Sequence, residues 1–206
     1  VVSGPRPRAY EPAQHAAPVQ PPIWADVAPM PALVALRTWL DRINSQPDKT
    51  PHLAVTGPSG SGKTTFVLAA LSERPGRMVI CTPKNETTDP WGGFPAIRLR
   101  RADMSYAPIS AAIQAVYAEM KRRNAHNIAT DGDWLTLIVD DYSTVIGEQP
   151  ELRPFVLRLL TLGRSVRIRV VLIDTETNVK AWGIEGRGEA RHNLIFVECE
   201  EDTHAA

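Results

Sequence analysis

The chain has 206 residues, of which 43% are apolar, and this length and composition suit one globular domain with an appendage. Lysine plus arginine numbers 23 and aspartate plus glutamate numbers 23, so no overall positive field draws the domain to a polyanion and any contact with nucleic acid must be local. The two cysteines, Cys81 and Cys199, fall in apolar runs and are predicted to be buried thiols, which excludes a disulfide framework or a zinc site as the basis of the fold.

The first 31 residues differ in composition from the rest of the chain. They hold eight prolines among Ala, Gln and Arg, which is typical of an extended linker or arm. We therefore predict an arm over 1–31, an α/β domain over 32–200 and a short tail over 201–206. No apolar run approaches the ~18–20 residues of a membrane span, and none resembles a signal peptide. We expect a cytoplasmic domain that meets a membrane only through a segment upstream of Val1.

A helix is predicted directly after the arm, because apolar residues recur there at intervals of three and four and Pro31 suits a first helical position. The apolar positions are Leu33, Leu36, Trp39, Leu40 and Ile43. The helix is amphipathic and leads into the domain.

A phosphate-binding loop follows, between the short apolar strand predicted over 52–56 and a helix whose apolar positions begin at Phe66. It fills every position of the P-loop, or Walker A, pattern with Gly57, Pro58, Ser59, Gly60, Ser61, Gly62, Lys63 and Thr64, and Thr65 completes the predicted nucleotide-binding set. The glycines let backbone N–H groups point inward, and the helix N-terminus adds its positive dipole end. The pattern predicts that Lys63 reaches the β and γ phosphates of ATP and that the Thr64 hydroxyl binds Mg2+.

Further strands and helices alternate along the chain, as in a parallel sheet. Strands are predicted over 78–82, 135–139, 168–173 and 194–197, and helices over 109–124 and 151–162. These elements predict a three-layer α/β fold with a mostly parallel central sheet.

A P-loop ATPase also needs an acid at the end of a second strand to hold Mg2+, and usually a second acid to orient the attacking water. Asp140 and Asp141 follow the run 135–139 in the Walker B pattern and supply both. Asp174, after the run 168–173, is a rival for the metal-binding acid. We prefer Asp140 because it is paired and leaves the later strand for a sensor residue. Asp141 is also compatible with a solvated loop carboxylate, because it is a methylene shorter than the usual glutamate.

Four segments match one family in order and spacing. Residues 51–57 look like its approach to the phosphate loop, 81–84 are similar to its Asp-Pro-Lys strand ending, 119–123 resemble its Glu-Met-x-Arg-Arg helix end, and 163–175 look like its Gly-Arg-x-x-x-Ile segment before a strand that ends Thr-Gln. The chain thus resembles the FtsK/HerA branch of P-loop motor ATPases, ring-forming DNA translocases, over about residues 50–198.

The resemblance implies ATP and Mg2+ as cofactors and a RecA-like (ASCE) strand arrangement, with the 168–173 strand between the acidic strand and the phosphate-loop strand. It also implies ATP hydrolysis that drives double-stranded DNA through a homo-oligomeric ring, which we expect to be a hexamer.

Two positions depart from that family. Asp141 stands where the family has glutamate, and Glu176 stands where it has a sensor glutamine. A glutamine can donate to the γ-phosphate and accept from water, whereas an ionised glutamate only accepts and repels phosphate. We therefore expect nucleotide binding with hydrolysis that is slow or differently arranged.

In such rings an arginine from the neighbouring subunit stabilises charge on the γ-phosphate. The candidates are Arg164, Arg187 and Arg191, of which the last two lie in a glycine-containing run that is equally compatible with a solvated turn. The most basic stretches either face DNA or form a solvated face, and they comprise Arg98, Arg100, Arg101 and Lys121 to Arg123. The histidines at 52, 126 and 192 lack metal-ligand spacing and are predicted to be surface or capping residues.

Two other functions fit parts of the sequence. A small-molecule phosphotransferase would share the phosphate loop, but the paired acids and the lack of an evident arginine-rich lid argue against it. A nucleotide-dependent switch or scaffold that binds ATP and barely hydrolyses it is favoured by Asp141 and Glu176.

Overall fold

Strands in this chain form from short apolar runs that glycines, prolines and charged segments interrupt. The computed structural model describes residues 52–72, 76–84, 91, 93–98, 100, 103–126, 134–175, 182, 184, 190 and 192–199. All of these belong to one unit within Arg37–Ala206. The predicted arm, the helix predicted after Pro31 and the tail lie outside the described residues.

The described residues form a six-stranded sheet. Its strands are β1 (His52–Thr56), β2 (Arg77–Thr82), β3 (Ala96–Arg98), β4 (Leu135–Val139), β5 (Ile168–Asp174) and β6 (Leu194–Glu198). All five apolar runs predicted as strands are confirmed, with ends that differ by at most one residue. The sequence did not predict β3, because a strand of three residues is too short to show a periodicity.

The strands lie in the order β3-β2-β4-β5-β1-β6, and every neighbouring pair is parallel. The predicted arrangement, with β5 between the acidic strand β4 and the phosphate-loop strand β1, is confirmed. Because all strands run the same way, their carboxyl ends meet at one edge of the sheet, which is where open α/β sheets bind ligands.

Four α-helices connect these strands in the described part of the chain. They are α1 (Lys63–Ser72), α2 (Ala107–Ala125), α3 (Tyr142–Glu148) and α4 (Arg153–Leu162). The helix predicted over 151–162 begins later, because Pro154 has no N–H to donate and its ring opposes the carbonyl four residues before it. Pro150–Leu152 is therefore a separate 3-10 helix. The seven-residue α3 was not predicted.

The central strands are buried on both faces, so the domain has three layers. Every residue of β1, β4 and β5 is buried. Alternate residues of these strands, such as Leu137 and Leu172, share one core with α2, α3 and α4. The intervening residues, such as Ile138 and Ile173, are equally buried outside that core, and α1 contacts β1 and β5. This confirms the predicted three-layer α/β fold.

Two predictions about single side chains are wrong. His52 is fully buried rather than a surface or capping residue, and its Nδ1 accepts a hydrogen bond of 3.0 Å from the Val170 N–H. Burial, reinforced by Arg164, lowers the pKa of His52 to about 3, so its ring is neutral at pH 7. Cys199 is only partly buried, whereas Cys81 is buried as predicted.

The predictions for the other two histidines hold. His126 and His192 are exposed. Within the described ranges, none of the helices combines the length and the apolar character that a membrane crossing requires.

Candidate functional site

The phosphate loop leaves β1 at Thr56 and enters α1 at Lys63, as the pattern predicted. Gly57 has φ +143°, and a Cβ there would collide with the Cys199 carbonyl oxygen at the end of β6, so only glycine fits. The Ser61 N–H donates to the Pro58 carbonyl at 3.2 Å and closes the turn. The loop therefore lies at the carboxyl edge of the sheet, directly before the positive end of a helix.

Lys63 lies against its own loop. Its ammonium donates to the carbonyl oxygens of Gly57 and Pro58, each at 2.6 Å, and the residue is buried. Burial lowers the pKa of Lys63, and the positive charge of Lys84 lowers it further. A bound phosphate would replace these two carbonyls as the acceptor, and a charged acceptor makes the stronger hydrogen bond.

Asp140 follows β4 and is held by the end of the neighbouring strand β2. It is only 2% exposed. Its Oδ2 accepts a hydrogen bond of 3.0 Å from the Thr82 hydroxyl, and its Oδ1 lies 3.6 Å from the Lys84 ammonium. The partners are a hydroxyl and a flexible ammonium, which leaves the carboxylate able to accept a cation. With the Thr64 hydroxyl, this donor set fits Mg2+, which proteins hold through one or two carboxylates together with substrate phosphates.

The rival acid Asp174 has different surroundings. Its carboxylate accepts hydrogen bonds from the N–H and the hydroxyl of Ser143, at 2.6 and 2.9 Å, and from the Thr175 N–H at 2.8 Å. These contacts join the end of β5 to the first turn of α3. They favour a structural role for Asp174 and support the choice of Asp140 as the metal-binding acid.

Asp141 lies between β4 and α3 in the left-handed conformation, with φ 55° and ψ 49°, which aspartate tolerates better than most residues. Its side chain is partly buried and makes no capping hydrogen bond to α3. Burial raises the pKa of Asp141, and Asp140 and Asp174 act in the same direction, whereas Lys84 and Lys63 oppose them. Asp141 is therefore a member of this charged cluster, and the alternative of a solvated loop carboxylate is disfavoured.

Lys84 was not among the predicted site residues, although the family resemblance included it. It follows β2, and its N–H donates to the Thr82 hydroxyl oxygen at 3.2 Å. Its positive charge repels that of Lys63 and attracts the carboxylate of Asp141. A lysine at the end of a strand next to the acidic strand is the signal that could have identified it.

Of the three candidate arginines, the structure describes Arg164, which is not part of this cluster. Arg164 is exposed in the 3-10 helix Gly163–Val166, which precedes β5, and it interacts electrostatically with His52 at the start of β1. It therefore lies at the amino edge of the sheet, a strand length of about 16 Å from the phosphate loop. Arg187, Arg191 and the sensor position Glu176 lie outside the described residues.

In the basic run at the end of α2, Lys121 and Arg122 are exposed and Arg123 is buried. Glu119 accepts from Arg122 at 2.7 and 2.9 Å and from Arg123 at 2.9 Å. Arg123 is buried, and it also donates to the carbonyls of Val166 and Arg167 at 3.0 and 3.2 Å. For Arg123, both predicted alternatives, a DNA-facing and a solvated side chain, are wrong. The motif Glu-Met-x-Arg-Arg ties the end of α2 to the segment before β5.

At the carboxyl edge of the sheet, the basic residues at the end of β3 remain candidates for contact with a polyanion. Arg98 ends β3 beside Thr82 of β2, and Arg100 is exposed and pairs with Asp103 at 3.3 Å. Arg101 lies outside the described residues.

Solved structures share this fold, although no protein-family model matches the chain and no curated protein matches it. EccC from Thermomonospora curvata (ATPases 2 and 3, in complex with a signal sequence peptide) has a TM-score of 0.58 and 16% identity over 74% of this chain and 32% of its own. The cytoplasmic domain of the type VII secretion ATPase EccC from the same organism has a TM-score of 0.54 and 18% identity over 73% of this chain and 20% of its own. The pCW3 conjugation coupling protein TcpA, in its monomer form with ATPγS, has a TM-score of 0.52 and 14% identity over 73% of this chain and 49% of its own. The chain thus spans no more than half the length of these proteins, and what it shares with them is the fold.

Proposed function

We propose that this domain binds ATP with Mg2+ and hydrolyses it, as the motor unit of a homo-oligomeric ring that translocates double-stranded DNA. The observation that carries the proposal is the meeting of two sets of groups at one sheet edge. The phosphate loop with Lys63 ends β1, Asp140 and Asp141 follow β4, and only β5 lies between them. A phosphate-binding loop and a carboxylate for the metal are the two parts that ATP hydrolysis in this fold requires.

Each residue has a role that follows from its position. The loop N–H groups and Lys63 would hold the phosphates, and Thr64 and Asp140 would hold Mg2+. The bound ion would neutralise charge on the phosphates and orient them. Asp141, which has no capping hydrogen bond to α3 and lies in the same charged cluster, would accept a hydrogen bond from the attacking water.

Ring assembly would bring an arginine of a neighbouring protomer to the phosphates. Arg164 lies at the far edge of its own sheet, so it could reach only the nucleotide of a neighbouring protomer. Arg187 and Arg191 are the other candidates for this role. A closed ring would also keep a protein of zero formal net charge on DNA, where a single domain would dissociate.

The structural neighbours suggest two kinds of polymer as the cargo. EccC is a type VII secretion ATPase, and one of its structures holds a signal sequence peptide, whereas TcpA is a conjugation coupling protein. We favour DNA, because the sequence segments resemble those of DNA translocases and because Arg98 ends the edge strand β3 and Arg100 follows it, on the nucleotide side of the sheet.

Steady-state ATPase assays with and without duplex DNA test the proposal. We expect duplex DNA to raise the turnover of the parent protein and Asp140→Asn to abolish it. In the absence of DNA, Asp103→Asn, the same change at an exposed carboxylate that pairs with Arg100, should keep the turnover of the parent. Turnover that survives Asp140→Asn would contradict the proposed site, and stimulation by a peptide in place of DNA would contradict the proposed cargo.

A nucleotide-dependent switch is the second candidate, favoured by the short side chain of Asp141 and by Glu176 at the sensor position. In a switch, ATP binds tightly and turnover stays near background at every protein concentration, with or without DNA. The variants Asp141→Glu and Glu176→Gln should then raise turnover, because they restore the reach of the acid and a donor to the γ-phosphate. A parent protein that already turns over rapidly would eliminate this candidate.

A further inference from the structure

Lys84 forms an ion pair with Asp140, the carboxylate that is proposed to hold Mg2+. The Lys84 ammonium lies 3.6 Å from Asp140 Oδ1. The carboxylate is almost fully buried, whereas 35% of the lysine side chain is exposed. At that distance the contact is an ion pair rather than a short hydrogen bond. Asp140 therefore has a counterion within the chain, and that counterion has access to solvent.

The backbone delivers Lys84 to this place. Its N–H donates to the Thr82 hydroxyl oxygen, and the same hydroxyl donates to Asp140 Oδ2. One threonine thus orients the carboxylate and anchors the lysine, and Pro83 between them restricts the backbone. The approach of Lys84 to Asp140 is built into the end of β2.

Electrostatic interactions with a nucleotide and a divalent cation would favour separation of Lys84 from Asp140. Lys84 lowers the pKa of Lys63, so the two ammonium groups repel each other at the site. In the structure, each of them is held by oxygen atoms of the chain, Lys63 by loop carbonyls and Lys84 by Asp140. Nucleotide phosphates would attract both lysines, and a divalent cation would attract Asp140 more strongly than a single ammonium does.

We propose that Lys84 is a positioning residue that holds Asp140 and competes with Mg2+ for it. The inference rests on the proposed function, since it assumes that Mg2+ binds at Asp140 with ATP. If Asp140 held Mg2+, the partly exposed Lys84 ammonium would move away from the carboxylate toward solvent. The competition lowers the affinity of Asp140 for Mg2+.

The test measures binding rather than turnover. A fluorescent, non-hydrolysable ATP analogue is titrated with Mg2+, first on the parent and then on Lys84→Met, which keeps the length and apolar stem of the side chain without its charge. We expect the Mg2+ concentration for half-maximal binding to fall about fivefold in Lys84→Met, equivalent to about 1 kcal/mol. Lys84→Arg should stay near the parent, and Lys121→Met, at an exposed lysine on the far end of α2, should have no effect.

The outcomes separate the two proposals. No binding of the analogue by the folded parent overturns the proposed function and this inference with it. Binding by the parent with an unchanged or raised Mg2+ midpoint in Lys84→Met overturns this inference alone, because Lys84 then does not oppose the metal. A double-mutant cycle with Asp140→Asn tests whether an effect on folding could explain the result, and thermal unfolding without nucleotide measures the stability of each variant. Lys84→Met should destabilise the parent more than it destabilises Asp140→Asn. Equal losses of stability would contradict the ion pair.

Discussion

The carboxylate of Asp174 accepts hydrogen bonds from both the N–H and the hydroxyl of Ser143, at 2.6 and 2.9 Å. This contact joins the end of β5 to the start of α3, directly beside Asp140. It engages the acid that the sequence offered as the rival to Asp140 for the metal, and so supports the proposal that Asp140 holds Mg2+.

The first prediction compares these two acids. Asp140→Asn should abolish the Mg2+ dependence of nucleotide binding, because an amide oxygen is a weaker ligand for a hard cation. Asp174→Asn should keep that dependence but lower the free energy of unfolding by about 1–3 kcal/mol, because an amide cannot accept from all of its present donors. Nucleotide titrations with Mg2+ or with EDTA, together with urea denaturation, measure both effects. Equal loss of Mg2+ dependence in the two variants would mean that the metal site has been assigned to the wrong strand.

The second prediction concerns Lys63. Lys63→Ala removes the cation of the phosphate loop, and charge-assisted hydrogen bonds contribute about 1.5–3 kcal/mol, so nucleotide affinity should fall roughly 10- to 100-fold. Isothermal titration with ATPγS and Mg2+ checks this. The control is Lys121→Ala, at an exposed lysine that stacks on Tyr117 away from the site. Unchanged affinity in Lys63→Ala would remove the basis for the nucleotide site.

The third prediction is a pH dependence that originates at His52. The pKa of this ring is lowered to about 3 in the folded protein, first by burial, from an ordinary value of 6.5. Between these two values the unfolded chain binds one more proton than the folded domain. The free energy of unfolding should therefore fall as pH drops below 6.5, by up to about 1.4 kcal/mol per pH unit from this residue.

Urea denaturation at pH 7.5 and pH 5.0 measures this loss. His52→Asn, which keeps an acceptor for the Val170 N–H, should be less stable at pH 7.5 but should lose less on acidification. His126→Asn, at an exposed ring, should retain the parent's dependence. A His52→Asn variant with the parent's pH dependence would show that the buried ring is not the origin.

The fourth prediction concerns the ring. A protomer that depends on a neighbour's arginine should gain specific ATPase activity as protein concentration rises, since such arginines contribute roughly 10³ to 10⁵ in rate. Mixing Lys63→Ala with Arg164→Ala should restore part of the activity at hybrid interfaces, and the same test applies to Arg187→Ala and Arg191→Ala. Activity that is independent of concentration, without rescue by any of the three arginine variants, would favour a monomeric enzyme.

The sequence alone determined the parts of this protein whose information is local. Glycines at fixed spacing before Lys63 specify a phosphate loop, because only glycine allows the backbone conformation and the close approach of Cys199 at Gly57. Near-continuous apolar runs predict strands buried on both faces, because such a run has no polar face to present to water. This is correct for β1, β4 and β5, whereas the edge strand β6 is partly exposed. The resemblance added the order of the strands, which the structure confirms.

The tertiary structure decided whatever depends on residues far apart in the chain. The seven-residue α3 has too few turns to show a helical period, and it is anchored by Asp174 from a strand that comes later in the sequence. In the sequence Arg123 belongs to a basic run. In the fold it is buried and donates hydrogen bonds to the carbonyls of Val166 and Arg167. Lys84 meets Asp140 only because β2 and β4 are neighbours in a parallel sheet and end at the same edge. Pairings of this kind leave no periodic trace in the sequence, since the packing of the strands and helices brings the two partners together.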